Sequence, residues 1–203
     1  EDKKDRRVTF IHNALGEIQE GLMKKNSTLD VRYGFPAEVF KQLTAEYSIE
    51  KVFTNHDYEP YARKRDNEID DLLKANSISF HTYKDQVIFE KDEVVKDDGK
   101  PYTVFTPYSR RWKAALNDFY FRSYPSKKYF SNFYKQPAKE ILSLESMGFK
   151  TTDLSFAPKK WKEDIIRKYT LQRDLPAIPG TSRLSVHLRF GTISIRELAR
   201  VAG

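Results

Sequence analysis

The sequence predicts an α/β fold followed by an α fold, the α/β part being a partial, doubly wound parallel sheet. Three observations predict it. Residues 6–89 alternate helical and strand-like patterns, residues 90–160 lose that rhythm and become aromatic and proline-interrupted, and residues 161–203 return to a helical pattern. An alternation of helix and strand is the signature of a parallel sheet covered by helices. The expected organisation is a partial α/β domain over 1–89, an interdomain connector over 90–160, and the beginning of a helical domain over 161–203.

The elements follow in order. Val8, Ile11, Leu15, Ile18 and Leu22 recur at three- and four-residue steps, so residues 6–25 are expected as a helix packing that stripe on a sheet. Leu29 to Tyr33 alternates like a short strand and Gly34 closes it. Pro36 opens a second helix, where its missing N–H costs nothing, with Val39, Phe40 and Leu43 inward. Val52-Phe53-Thr54 is the next strand, with Asn55-His56-Asp57 at its C-terminal end. A charged helix runs from Asp57 to about Asn76 with a core stripe of Tyr61, Ile69, Leu72 and Leu73. Ile78 to Tyr83 is a third strand, and Val87-Ile88-Phe89 is read as a short continuation. Ligands of such sheets lie beyond the C-terminal ends of the strands, where Asn55 to Glu59 fall.

Beyond residue 90 the reading changes. Thr106-Pro107 opens a short helix carrying Trp112, Ala115 and Leu116. Between 119 and 160 the aromatics crowd, and Pro125, Pro137 and Pro158 prevent any long element. This stretch is expected to lie along protein surface with its aromatics as anchors; beside Lys127-Lys128 the same rings could stack bases. Trp161, Ile165, Ile166, Tyr169 and Leu171 restore a helical pattern. Ser194 is a natural N-cap for a last helix, with Glu197 three residues on.

Composition narrows the function classes. The 203 residues carry a net charge of +7, with 39% hydrophobic, 32% charged and 14% aromatic side chains. A basic balance favours anionic partners, nucleic acid first, although solubility alone also accounts for it. The absence of cysteine removes disulfides and thiolate metal sites and suits a reducing, cytoplasmic setting. No apolar run approaches the roughly 20 residues of a membrane helix. The four histidines have no ligand spacing, so neither a metal nor a membrane partner is expected. The charged N-terminus, Glu1 to Arg7, reads as a frayed or cut end rather than a signal peptide.

The chemistry concentrates in Gly180-Thr181-Ser182-Arg183-Leu184-Ser185 and the following His187-Leu188-Arg189-Phe190-Gly191. Hydroxyls, backbone N–H groups after a glycine turn, and Arg183 or Arg189 together suit a phosphate. A polar turn capping a helix would use the same residues. No dinucleotide fingerprint, P-loop, G-x-S-x-G or H-E-x-x-H occurs, and Asp70-Asp71 and Asp97-Asp98 read as solvated surface. No catalytic residue is assigned.

These residues resemble the photolyase/cryptochrome family. The resemblance is carried by Asn55 through Asp66, His81 through Phe89, Val104 to Tyr108 with Trp112, then Tyr169, Arg173-Asp174, Pro176 and Gly180 through Gly191. It is closest to the bacterial photolyases that act on cyclobutane pyrimidine dimers. It implies a Rossmann-like N-terminal domain, often with an antenna pigment, and a helical domain holding FAD. It implies that Tyr169, Thr181, Ser182, Arg183, Leu184 and Ser185 contact FAD, and that Arg173 contacts damaged DNA. The implied activity is light-driven dimer splitting by electron transfer from reduced FAD; the alternative within the family is a cryptochrome-type photoreceptor without repair. In folate-antenna relatives an Asn-Glu pair contacts the pigment. Tyr61-Ala62 stands at those positions, which argues against folate and leaves a deazaflavin, another flavin or no antenna. The resemblance also places the family's first strands before Glu1 and most of the flavin pocket after Gly203. The chain alone is therefore expected to be inactive and without FAD, and its sheet to be completed by further strands or another chain. Trp112 and Trp161 match none of the family's electron-transfer tryptophans and are expected to be packing residues.

Overall fold

The structure, a computed structural model, describes residues 3–153 and 155–202. Glu1, Asp2, Leu154 and Gly203 lie outside it, and with them the first two residues of the charged N-terminal run. The chain divides into two compact units. The first joins residues 1–85 to 129–154, and the second joins 86–128 to 155–203. The stretch from 90 to 160 is thus shared between them.

In the first unit, α1 (Arg6–Met23) and α2 (Pro36–Glu46) precede β1 (Lys51–Asn55), α3 (Pro60–Ala75) and β2 (Ser79–Tyr83). β1 and β2 pair in parallel, with Lys51 opposite Ser79 and Asn55 opposite Tyr83. A parallel pair needs a crossover, and α3 supplies it. This is the partial Rossmann-like arrangement expected. Its core is Ile69, Leu73 and Ile78, with Ala37, Phe40, Ile49, Val52, Leu72 and Phe80 packed around them. Leu73 has no exposed surface. α1 starts on Asp5, whose side chain accepts from the Arg7 N–H, and α2 and α3 each carry proline in the first turn.

Four local readings change. Leu29 to Tyr33 forms no strand. At its start Leu29 N–H donates to Gln19 Oε1 at 2.7 Å instead of to a neighbouring strand, and Oγ1 of the preceding Thr28 accepts from the Lys139 N–H at 2.9 Å. Val87-Ile88-Phe89 likewise forms no strand; Ile88 is buried in the second unit and Phe89 packs its ring 5.6 Å from Trp112 and 4.4 Å from Tyr120. On α1 the buried residues are Thr9, Phe10 and Gln19, while Ile18 is 50% exposed. The apolar stripe packs on a sheet only where a sheet lies beneath it, and here residues 135–152 pack on the neighbouring polar face instead. On α3 Ala62 (2% exposed) replaces Tyr61 (68% exposed) on the inner face. Ala62 lies seven residues before Ile69, about two turns along the same face, and Tyr61 is rotated off it.

Residues 129–154 return to the first unit as a strap. Ser27 Oγ donates to Tyr134 O, Gln136 N–H to Asn26 O, Gln19 Nε2 to Lys139 O, and Lys150 N–H to Lys3 O. His12 Nε2 lies 3.0 Å from Leu142 O. Lys25 Nζ sits 4.8 Å over the Phe130 ring. The strap also closes a charged cluster. Arg32 makes two hydrogen bonds to Asp30 and two to Glu46, and Lys139 Nζ donates to Asp30 at 2.7 Å and to Tyr47 Oη at 2.6 Å. The guanidinium of Arg32, then Lys139 and the Tyr47 hydroxyl, hold the Asp30 carboxyl far below the ordinary carboxylate range.

The second unit is built from short helices: α4 (Phe105–Ala115), α5 (Asp118–Phe121), α6 (Glu163–Arg167), α7 (Tyr169–Gln172), α8 (Ser185–Arg189) and α9 (Ile195–Ala202). Glu197 N–H donates to Ser194 Oγ at 3.3 Å, the expected cap of α9. Among the described residues no helix is long and apolar enough to cross a membrane, and no cluster of three metal-ligating side chains occurs.

Candidate functional site

Polar groups gather beyond the strand ends of the first unit and at the turn before α8 of the second.

The first lies beyond the C-terminal ends of β1 and β2. It is an opening of about 520 Å³ lined by Phe53, Asn55, His56, Arg65, Tyr83 and Asp85, together with Thr54 and Asp57. Register creates it: pairing Asn55 with Tyr83 ends both strands level, and the chains diverge into the 56–59 and 84–86 segments. Phe53 and Tyr83 stack 6.2 Å apart as one aromatic wall, with His81 5.2 Å from Phe53. Asn55 Nδ2 donates to Asp85 at 3.0 Å, and His56 Nε2 lies 2.9 Å from Thr82 Oγ1. Asn55 to Asp57 were legible from the strand pattern. Arg65, Tyr83 and Asp85 were missed, because the register that sets Tyr83 opposite Asn55 comes from the pairing and not from either strand pattern alone.

The second is the turn before α8. Gly180 opens it because nothing larger fits: a Cβ there would lie 2.6 Å from Gln172 Cβ and 2.8 Å from the Gln172 carbonyl. This contact brings the turn against α7, the helix that carries Tyr169 and leads into Arg173. Arg173 N–H donates to Tyr169 O at 2.9 Å, and its guanidinium lies 5.5 Å over the Tyr169 ring. Arg183 adopts φ 55°, the left-handed region that few non-glycine residues enter. Such backbone outliers persist where surrounding structure holds them and concentrate at ligand sites. Thr181, Ser182, Arg183 and Ser185 are exposed, and among the described residues none of the three hydroxyls has a hydrogen-bond partner. Leu184 differs: its side chain is 4% exposed, so only its backbone faces outward.

His187 fixes the turn from behind and was missed as a positioning residue. It is 3% exposed, with Nε2 2.6 Å from Ala157 O and Nδ1 2.8 Å from Thr192 Oγ1. A carbonyl only accepts, so Nε2 carries a proton. No sequence pattern announces such a pairing across 30 residues.

The DNA photolyase family model matches residues 1–132. The chain belongs to the DNA photolyase family. It is 28% identical to the deoxyribodipyrimidine photo-lyase of Synechococcus sp., an alignment that takes in 99% of this chain and 45% of that protein. The crystal structure of a bacterial class III photolyase from Agrobacterium tumefaciens superposes with a TM-score of 0.76 at 22% identity, covering 98% of this chain and 44% of that one. An archaeal photolyase from Sulfolobus tokodaii, solved with two FAD molecules, superposes with a TM-score of 0.63 at 21% identity, over 98% of this chain and 44% of that one. These two likenesses show the photolyase fold. The chain spans about 45% of the length of the Synechococcus relative.

Proposed function

We propose that this photolyase-family chain is part of a flavin-dependent, light-driven enzyme that splits cyclobutane pyrimidine dimers in DNA. The observation that carries the reading is the turn before α8: three hydroxyls without partners among the described residues and an arginine held at positive φ, seated by Gly180 against the helix of Tyr169. That donor set fits the pyrophosphate of FAD, since hydroxyls, N–H groups and a guanidinium all donate to phosphate oxygens. Thr181, Ser182, Arg183 and Ser185 would hold the phosphates and ribityl chain, with the backbone of Leu184 between them. Tyr169 would contact the flavin portion, and Arg173 would hold a phosphodiester near the lesion. When bound, reduced FAD supplies the electron that opens the dimer; the protein supplies placement and electrostatics.

This chain's residues hold rather than react. Buried Leu184 and the doubly bonded His187 anchor the turn, so the hydroxyls at 181, 182 and 185 meet an anion without reorganising. The chain alone is expected to be catalytically silent, because the turn is exposed and a cofactor site needs enclosure on several sides. The opening at the strand ends is the corresponding place for an antenna pigment, with Phe53 and Tyr83 as stacking wall. Folate is disfavoured, because the positions at which folate-antenna relatives carry an Asn-Glu pair hold Tyr61 and Ala62, neither of which lines this opening.

The decisive experiment uses the full-length protein that contains this chain. Stoichiometric flavin absorbance and light-dependent reversal of a thymine dimer in an oligonucleotide are expected. Flavin without repair would replace the enzyme by a cryptochrome-type photoreceptor, and the absence of flavin would end both readings.

A further inference from the structure

We infer that the cleft between α5 and α9 is a second anion site, one that takes the phosphate of a small nucleotide. It is about 420 Å³, and Arg122, Ser123, Phe121, Arg200, Asp118 and Ala199 line it. None of these residues belongs to the turn before α8 or to the opening at the strand ends.

The argument begins with Arg196. Its guanidinium donates to the carbonyl oxygens of Tyr120 at 3.1 Å and Phe119 at 3.4 Å, and lies 5.4 Å over the Tyr124 ring. Arg196 is therefore spent on structure: it ties α9 to the end of α5. Arg200, four residues further along α9, falls on the same face one turn away. Two arginines at that spacing repel, and among the described residues Arg200 has no carboxylate to offset the repulsion. Among the described residues Arg122, just past α5, is also without an ion pair, although Asp118 shares the lining.

The lining thus sets two uncommitted guanidiniums and a hydroxyl against one carboxylate. Guanidinium forks match phosphate oxygens in geometry as well as charge. The volume falls within the roughly 300–1,000 Å³ of small-ligand sites and exceeds what a bare phosphate fills. Phe121 supplies the apolar surface on which a nucleoside ring can lie. A nucleoside monophosphate has both parts.

The test uses the whole chain and adenosine monophosphate as probe, followed by calorimetric titration. Saturable binding is expected, weakened about tenfold in Arg122→Gln and in Arg200→Gln, as for loss of one charged hydrogen bond. Both side chains are exposed, and circular dichroism checks that the variants fold. Arg111→Gln, on the surface of α4, should leave the affinity unchanged, and Arg183→Gln tests whether the turn before α8 takes the probe instead. Loss of binding in Arg183→Gln would place the probe at the other site, and equal loss in Arg111→Gln would reduce the effect to general charge. Absence of saturable binding, or inorganic phosphate binding as tightly as the nucleotide, would also overturn the assignment. None of these outcomes bears on whether the full-length protein holds FAD.

Discussion

The Asp30 cluster and the turn at 181–185 are built from the same kinds of side chain, and they use them in opposite ways. Around Asp30 every charge is answered: Arg32 bonds Asp30 and Glu46, and Lys139 bonds Asp30 and the Tyr47 hydroxyl. In the turn, three hydroxyls and Arg183 face solvent, and the backbone is held in a conformation that costs energy. Groups committed to one another stabilise a fold; groups held in place without partners remain available to a ligand. The difference separates structural polarity from binding polarity more sharply than residue type does.

The largest effect is expected on the structural side. Asp30→Ala leaves Arg32 and Lys139 without their shared acceptor and should cost about 2–3 kcal/mol, read as a lower urea midpoint. The cluster also makes stability depend on acid. The Asp30 carboxyl is depressed in the fold, so the unfolded chain takes up its proton first, near the ordinary value of about 3.9. Stability should therefore fall as pH drops from about 5 through the acid range, and Asp30→Asn should flatten that slope. An unchanged slope would show that the network is ornamental.

Gly180→Ala comes next. Its Cβ meets Gln172 backbone at 2.8 Å, a contact that rearrangement of a side chain cannot relieve. A loss of about 1–3 kcal/mol is expected from overpacking, and with it the seating of the turn against α7, detectable as altered tyrosine signals of Tyr169 in nuclear magnetic resonance spectra.

Arg183→Gly should be smallest in stability and is the sharpest test of the contrast. Glycine relieves roughly 1 kcal/mol of left-handed strain but gains comparable freedom when unfolded. A net change within about 0.5 kcal/mol is expected, while flavin retention by the full-length protein falls. Equal losses in stability and retention would assign Arg183 a structural role like that of Arg32.

What the sequence reveals depends on whether a signal is local. β1, β2, α2 and α4 follow from alternation, prolines and periodicity, all of which act within a few residues. The cap of α9 by Ser194 follows likewise. Leu29 to Tyr33 has the alternation of a strand, yet a strand exists only by pairing, and here Gln19 and Lys139 answer its backbone and neighbours instead. The stripe of α1 is periodic, but which face is buried depends on what packs there, and the strap chose Thr9 and Gln19. The turn at 180–185 was legible in its residue types. The close approach of Gly180 to Gln172, the conformation of Arg183 and the bonds of His187 required the fold.

The strap has a further consequence, for the order of assembly. Its bonds join residues 92 to 147 positions apart, such as Tyr47 to Lys139 and Lys3 to Lys150. Closing loops of that length is slow, and contacts so distant in sequence lower folding rates. As the chain leaves the ribosome, β1, α3 and β2 have their partners at hand. Gln19, Thr28 and Asp30 wait while some fifty to seventy further residues emerge, at about 5–20 residues each second. For those seconds the acceptors of the strap stand open, and a rare-codon pause placed before residue 129 would lengthen the interval in which another chain can occupy them.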